Sequence, residues 1–219
     1  NKLPKVIIPV HLTGSSCDMD AIHNLSKEYG FKVIEDASHA IGAKYKDIKV
    51  GSCRFSHLTV FSFHPVKIIT TGEGGIVTTN DNKLAEKIYD LRSHGIVKEE
   101  SRLLSKNEGP WYYEQQILGF NYRMTDMQAA LGISQLKKID EFVSKRNKIL
   151  EIYKEALTEL PLTFLEIPAH NYSSVHLSVV KLNEKYRVFH KEIFEKLLKA
   201  GIGVQLHYLP VHLHPFYKR

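Results

Sequence analysis

Cysteine is nearly missing from this chain: Cys17 and Cys53 are the two in 219 residues. Two cysteines build neither a disulfide framework nor a zinc ligand set, which points to a reducing compartment and makes a cytoplasmic protein the expectation. Long apolar runs are missing too. None approaches the roughly 20 residues that a membrane-spanning helix needs, so no membrane partner is expected. The opening "NKLPKVIIPVHLTG" has neither a long apolar region nor a small-residue cleavage site, and a secretory leader is not expected from it. No internal repeat or low-complexity tract stands out. Charge of one sign is not concentrated either. The excess of 30 basic over 24 acidic residues gives +6. Its densest group, "SQLKKIDEFVSKRNK", is interleaved with acids and apolar positions, as on a solvated helix face. No nucleic-acid partner is expected, since no recognised motif for one is present; a modest basic excess suits a small anionic ligand such as a phosphate ester.

What is there reads as an α/β protein. Hydrophobic residues make up 43% of the chain, enough for a real core in one large or two small domains. "KVIIPV" is a short β-branched run with the character of a buried strand. "CDMDAIHNLSKEYG" has helical spacing at Ile22, Leu25 and Tyr29 and stops at Gly30. "FKVIEDAS", "HLTVFSF" and "GGIVTTND" read as strands, and "NKLAEKIYDLRSHG" as a helix closed by Gly95. Strands alternating with helices predict a largely parallel sheet. Residues 97 to 119 read as a long loop, a kind of segment that is often functional. Thr125 and Gln128 have the spacing of a capping box, opening a helical stretch that runs to about Leu157 with a bend. After the connector "PLTFLEIPAHNYS", the stretches "SVHLSVVKL", "RVFHKEIFEKLLKAG" and "IGVQLHYLPV" read as strand, helix and strand, a smaller α+β unit.

The stretch with most chemistry is "FSFHPVKIITTGEGG", residues 61 to 75, where Lys67 is the single amine and Glu73 the single carboxylate. Lysine is rarely buried without a reason. Burial lowers its pKa from about 10.4, and a depressed amine attacks carbonyls. The plainer reading is a lysine whose stem packs and whose head reaches water. Ligands of open α/β sheets bind at the carboxyl ends of the strands. Asp36 and His39 fall at the end of "KVIED", and Ser62 and Lys67 at and beyond the end of "HLTVFSF". Each has an ordinary alternative: Asp36 caps the next turn, His39 is a satisfied core histidine, Ser62 bonds to backbone, and the glycines of "TGEGG" only turn the chain. Together they match the needs of pyridoxal phosphate, namely an amine for its aldehyde and an acid for its pyridine nitrogen. Its phosphate needs hydroxyl and backbone donors, which Ser62 would help supply. A metal site at His207, His212 and His214 in "LHYLPVHLHP" is the rival from another class. No acid or cysteine nearby completes that ligand set, so no metal is expected.

In "IIPVHLTGSSCDMDAI", "VIEDASHAIGA", "FSFHPVKIITTGEGGIVTTND", "LRSHG", "LGFNYRMTDMQAALGISQLKKID" and "AGIGVQLHYLPVHLHPFY" the chain resembles the DegT/DnrJ/EryC1/StrS sugar aminotransferases, in family order along nearly its whole length. The resemblance implies the aspartate aminotransferase-like fold of pyridoxal phosphate enzymes. Residues 1–140 would be part of the large cofactor-binding domain, and residues 141–219 part of the small C-terminal domain. Lys67 would form the Schiff base, Asp36 would pair with the pyridine nitrogen, and His39 would sit by the ring face or the phenolic oxygen. Ser62 would bind the phosphate, and Asn121 would reach the phosphate in the partner subunit of a homodimer. The implied reaction passes an amino group, with glutamate as donor, to a 4-keto-6-deoxy nucleotide sugar in glycan biosynthesis, with His207 and Tyr208 as sugar-nucleotide contacts. "LRSHGIVK", "SSVHLSVV" and "GIGVQLHYLP" are similar to the subgroup acting on UDP-4-keto-6-deoxy-N-acetylhexosamines. The family's sugar dehydratases carry histidine in place of the lysine, so Lys67 favours transamination. One departure stands out. Nothing here corresponds to the family's N-terminal phosphate-binding turn and stacking aromatic, nor to its usual C-terminal helix. An internal piece with an incomplete site, inactive alone, or a non-catalytic remnant are therefore further expectations.

Overall fold

The structure is a computed structural model that describes residues 2–106 and 108–218. It divides into two compact units, Asn1–Ala156 with Glu166–Val179, and Leu157–Leu165 with Val180–Arg219. These divisions fall at different points from the domains expected at 1–140 and 141–219.

The first unit opens with β1 (Val6–Ile7), which runs parallel to β2 (Lys32–Asp36). Beyond Pro9 the pairing resumes as a single bridge of Val10 to Asp36. Between the strands lies α1 (Met19–Tyr29). Asp18 caps it by accepting from the Ala21 N–H at 3.2 Å, and Gly30 ends it in the left-handed region at φ 74°, as its sequence position predicts. β3 (Lys44–Tyr45) and β4 (Ile48–Lys49) form a small antiparallel pair. β5 (Leu58–Ser62) lies parallel to β2, and β6 (Gly75–Thr78) returns antiparallel to β5, giving the order β1-β2-β5-β6. The expected largely parallel sheet is therefore present, with one antiparallel edge.

After α2 (Asn82–Arg92), the ends of the loop expected over 97–119 are joined by a short antiparallel pair, β7 (Ile96–Val97) with β8 (Glu114–Gln115). Within it Arg102 reaches back to Asp90 and Glu86. The long helical stretch breaks into α3 (Asp126–Leu136) and α4 (Ile139–Ala156), and the capping box of Thr125 and Gln128 is formed. α4 belongs to the first unit because its Val143 and Leu150 are buried there. β9 (Leu162–Phe164) lies in the second unit, whereas β10 (Asn171–Tyr172) returns to the first and pairs with β3.

The second unit contains β11 (Val180–Leu182), antiparallel to β9, and the amphipathic α5 (His190–Lys199). Two expectations change here. "SVHLSVVKL" is a strand only over its last three residues, and "IGVQLHYLPV" is not a strand at all. Its β-branched and aromatic residues have the right propensity, but a strand exists by its ladder. Among the described residues none pairs with this segment.

The sheet's two faces differ. Side chains alternate across a strand. Val33, Glu35, Thr59 and Phe61 point to the face covered by α1 and α4, where Phe61, Ala40, Ile69, Ile139 and Val143 form one core and Met19, Phe31, Val33 and Tyr45 another. Asp36, Val60 and Ser62 point to the other face, which is half-open, with Val77 beside Val60 exposed.

Candidate active site

β2 and β5 are in register at Asp36 and Val60. Two residues further along β5 on the same face stands Ser62, about 7 Å along the strand at the usual rise per residue. A carboxylate and a hydroxyl thus share the open face at the carboxyl ends of neighbouring parallel strands. Asp36 Oδ1 accepts from the Ser38 N–H at 3.1 Å, so the ordinary reading of it as a turn cap is correct. A carboxylate has further acceptor sites beside that one. Ser62 Oγ accepts a long bond, 3.4 Å, from the His64 N–H and keeps its own hydrogen to donate.

The chain then leaves the sheet in a closed loop. The Phe63 carbonyl accepts from the Thr71 N–H at 3.1 Å and from the Thr70 hydroxyl at 2.8 Å, and Phe63 N–H donates to the Gly74 carbonyl at 2.9 Å. Gly74 has φ 156°, and a Cβ there would stand 2.4 Å from Thr71 Oγ1, so glycine is required for the closure. Lys67 lies in the middle, followed by buried Ile68 and Ile69. Burial pushes its amine below the ordinary lysine value, and the Asp36 carboxylate opposes part of that fall. The amine thus lies within electrostatic reach of the Asp36 carboxylate.

His39 is buried. Its Nδ1 accepts from the Thr13 N–H at 3.3 Å, and its ring lies 4.4 Å from that of His176, centroid to centroid. A backbone N–H meets only a bare ring nitrogen, so the proton of the neutral ring sits on Nε2. The segment Ser173–Leu177 supports this corner: Ser174 Oγ donates to the His39 carbonyl, while Arg146 and Asn147 of α4 donate to the Val175 and Ser173 carbonyls. Asn121 is exposed at a bridge to Ser93. His207 and Tyr208 belong to the second unit, with ring centroids 4.4 Å apart. Among the described residues no three His, Cys, Asp or Glu side chains gather to hold a metal, and no helix is long and apolar enough to cross a membrane.

One buried network escaped the sequence reading. His11 Nε2 lies 2.7 Å from Glu35 Oε2, and the Glu35 carboxylate also accepts from the Ser56 hydroxyl and, at 3.0 Å, from Thr59. Burial alone would raise the Glu35 pKa. The hydrogen bonds from His11 and Ser56, the His11 charge and the Thr59 bond together bring it below its ordinary 4.5. The signal was available: one residue before Asp36 in a strand is the opposite, inward face. Glu35→Ala is expected to cost about 3–5 kcal/mol in urea unfolding at neutral pH, the usual result of removing one member of a buried pair. The sign of the pH dependence follows from the lowered pKa. The contribution is present above the unfolded value and is lost as pH falls through the lower, folded one. Glu35→Gln should flatten that acid limb, and equal acid limbs in the two proteins would refute the assignment.

This corner of the sheet thus brings together a carboxylate and a hydroxyl at the ends of two parallel strands and an amine on the loop that follows the second. The profile of the DegT/DnrJ/EryC1/StrS aminotransferase family matches residues 1–219, and the chain belongs to that family. It is 45% identical over 211 residues to UDP-4-amino-4,6-dideoxy-N-acetyl-beta-L-altrosamine transaminase of Campylobacter jejuni, covering 96% of this chain and 53% of the relative. It is 39% identical over 218 residues to the spore coat polysaccharide biosynthesis protein SpsC of Bacillus subtilis, covering 98% and 55%. Helicobacter pylori PseC, described as an aminotransferase involved in the biosynthesis of pseudoaminic acid, superposes with a TM-score of 0.89 at 36% identity, over 100% of this chain and 56% of the other. The fold is thus that of the sugar aminotransferases, and the chain spans about half the length of the relatives it matches.

Proposed function

We propose that the protein is a pyridoxal phosphate-dependent aminotransferase that passes an amino group from glutamate to a 4-keto-6-deoxy nucleotide sugar for glycan biosynthesis. The observation that carries this reading is the partly buried Lys67 amine, held on a loop closed by hydrogen bonds and within electrostatic reach of Asp36 at the end of β2. That face fits the group: a flat heteroaromatic ring suits its partly exposed Val60 and Val77, and Ser62 has a hydrogen to offer a phosphate.

When bound, the cofactor supplies an electron sink for a carbanion adjacent to nitrogen. Lys67 would hold the cofactor's aldehyde carbon and would serve as the base that moves protons at the reacting carbon. Asp36 keeps a proton on the ring nitrogen, because an ionised carboxylate raises the pKa of a nearby base. Ser62 donates to the phosphate, His39 orients the ring from its face or its phenolic oxygen, and Asn121 reaches the site of a second subunit in a homodimer. His207 and Tyr208 contact the sugar nucleotide. Residues 1–140 serve as part of the cofactor-binding domain and 141–219 as part of the small domain of a cytoplasmic enzyme. The likeness to transaminases and to PseC supports the substrate class.

Absorbance tests the whole reading in a protein that carries this chain at the full length of its relatives, about half of which the chain spans. Added pyridoxal phosphate should give a visible band, glutamate should bleach it, and a UDP-4-keto-6-deoxy-N-acetylhexosamine should restore it. Bleaching by glutamate with no restoration by any 4-keto nucleotide sugar would overturn the substrate class, and failure to form the band would overturn the cofactor.

A further inference from the structure

The Lys67 loop is closed by its own hydrogen bonds, but what fixes it in space lies far away in sequence. Gln135, in the last turn of α3, turns its side-chain carbonyl to the Thr70 N–H at 2.9 Å, across 65 residues. Thr70 is the hub of the loop: its hydroxyl donates to the Phe63 carbonyl and accepts from the Gly72 N–H at 2.9 Å. Two turns earlier on α3, Gln128 donates to the Glu73 carbonyl at 3.0 Å while its own carbonyl completes the cap with Thr125. Between them sits Gly132, where a Cβ would come within 2.8 Å of the Thr71 methyl group. Glycine there lets the helix lie directly on the loop. Gln128, Gly132 and Gln135 follow at spacings of four and three, so one stripe of α3 faces the loop.

Resting on the reading of Lys67 as the cofactor-binding amine, we propose that Gln135 is a positioning residue for it. Its carbonyl fixes the Thr70 amide three residues beyond the lysine, and so holds the amine in its partly buried place facing Asp36. The acceptor matters more than the bulk of the side chain. A buried or partly buried N–H left without its partner lets the loop exchange that bond for one to water, and the loop loosens.

Two variants separate these contributions. Gln135→Leu keeps the size and removes the acceptor, whereas Gln135→Glu keeps an oxygen that accepts the same bond. The first readout is hydrogen exchange at the Thr70 amide in the protein without cofactor. It should speed up about tenfold in Gln135→Leu, the worth of one ordinary hydrogen bond, and return toward the parent rate in Gln135→Glu. The second is the pH midpoint for borohydride trapping of pyridoxal phosphate. Burial is what depresses the amine, so a loosened loop moves the midpoint of Gln135→Leu to higher pH. Urea unfolding confirms that each variant is folded. Unchanged Thr70 exchange in folded Gln135→Leu, or faster exchange with no shift of the trapping midpoint, would overturn the positioning role. So would Gln135→Glu exchanging as fast as Gln135→Leu. Failure of the underlying reading looks different: Lys67→Ala would then trap the cofactor as well as the parent, whatever the Thr70 amide does.

Discussion

Lys67→Ala is expected to abolish the adduct that borohydride traps between the protein and pyridoxal phosphate. An ordinary lysine, with a pKa near 10.4, is neutral at pH 7 in fewer than about one molecule in a thousand. Each unit by which burial lowers that pKa raises the neutral fraction about tenfold, and the Lys67 amine is lowered by burial. Lys46, by contrast, is exposed and ion-paired with Asp20, which pushes its pKa up. At neutral pH the trapped label should therefore concentrate at Lys67 and vanish with it. The substitution removes a partly buried cation, not an apolar packing group, so circular dichroism and urea unfolding should stay close to the parent. Lys67→Arg offers a second check, because a guanidinium keeps the charge and stays protonated; it too should trap nothing. Undiminished label in either folded variant, located by peptide mapping to another lysine, would refute the assignment.

The places of Lys67 and Asp36 in the fold, on a loop after β5 and at the end of β2, were legible in the sequence because their signals are local. A single amine after an apolar strand and an acid at a strand's carboxyl end need only neighbouring residues to be recognised. The same holds for Gly30, which closes α1, and for Thr125 and Gln128, whose capping box needs a span of four residues. The break between α3 and α4 was foreseen as a bend. What stayed hidden depends on distant partners. "IGVQLHYLPV" has strand propensity, yet propensity cannot state whether a neighbour is there to pair with. Glu35 lies beside Asp36 in sequence but on the opposite face, and its partners His11, Ser56 and Thr59 stand more than 20 positions away. Gln135 gives no local hint at all. Its glutamine side chain reads as one more polar group on a helix, and only the tertiary approach at Gly132 turns it toward the lysine loop.

Asp36→Asn should keep the fold and the cofactor adduct while costing orders of magnitude in turnover. The replacement has nearly the same shape, and the amide oxygen can still accept from the Ser38 N–H, so the turn after β2 survives. What it removes is a charge. A unit charge about 4 Å from a cation near a protein surface is worth about 4 kcal/mol, whereas a neutral hydrogen bond contributes about 1 kcal/mol net. The first figure corresponds to roughly three powers of ten in rate; the second would barely be noticed. On the proposed reading, the proton on the ring nitrogen would depend on the charge, and the electron sink on that proton. A second readout comes from Lys67. Asp36 holds the lysine pKa up against burial, so removing its charge lets that pKa fall further. The pH midpoint for trapping pyridoxal phosphate should then move down, opposite to the shift expected for Gln135→Leu. Asp36→Glu, which retains the charge, should recover part of the turnover and leave the midpoint nearer the parent's. Turnover close to normal in folded Asp36→Asn would remove Asp36 from the chemistry, and an unmoved midpoint would show that its carboxylate does not face the amine.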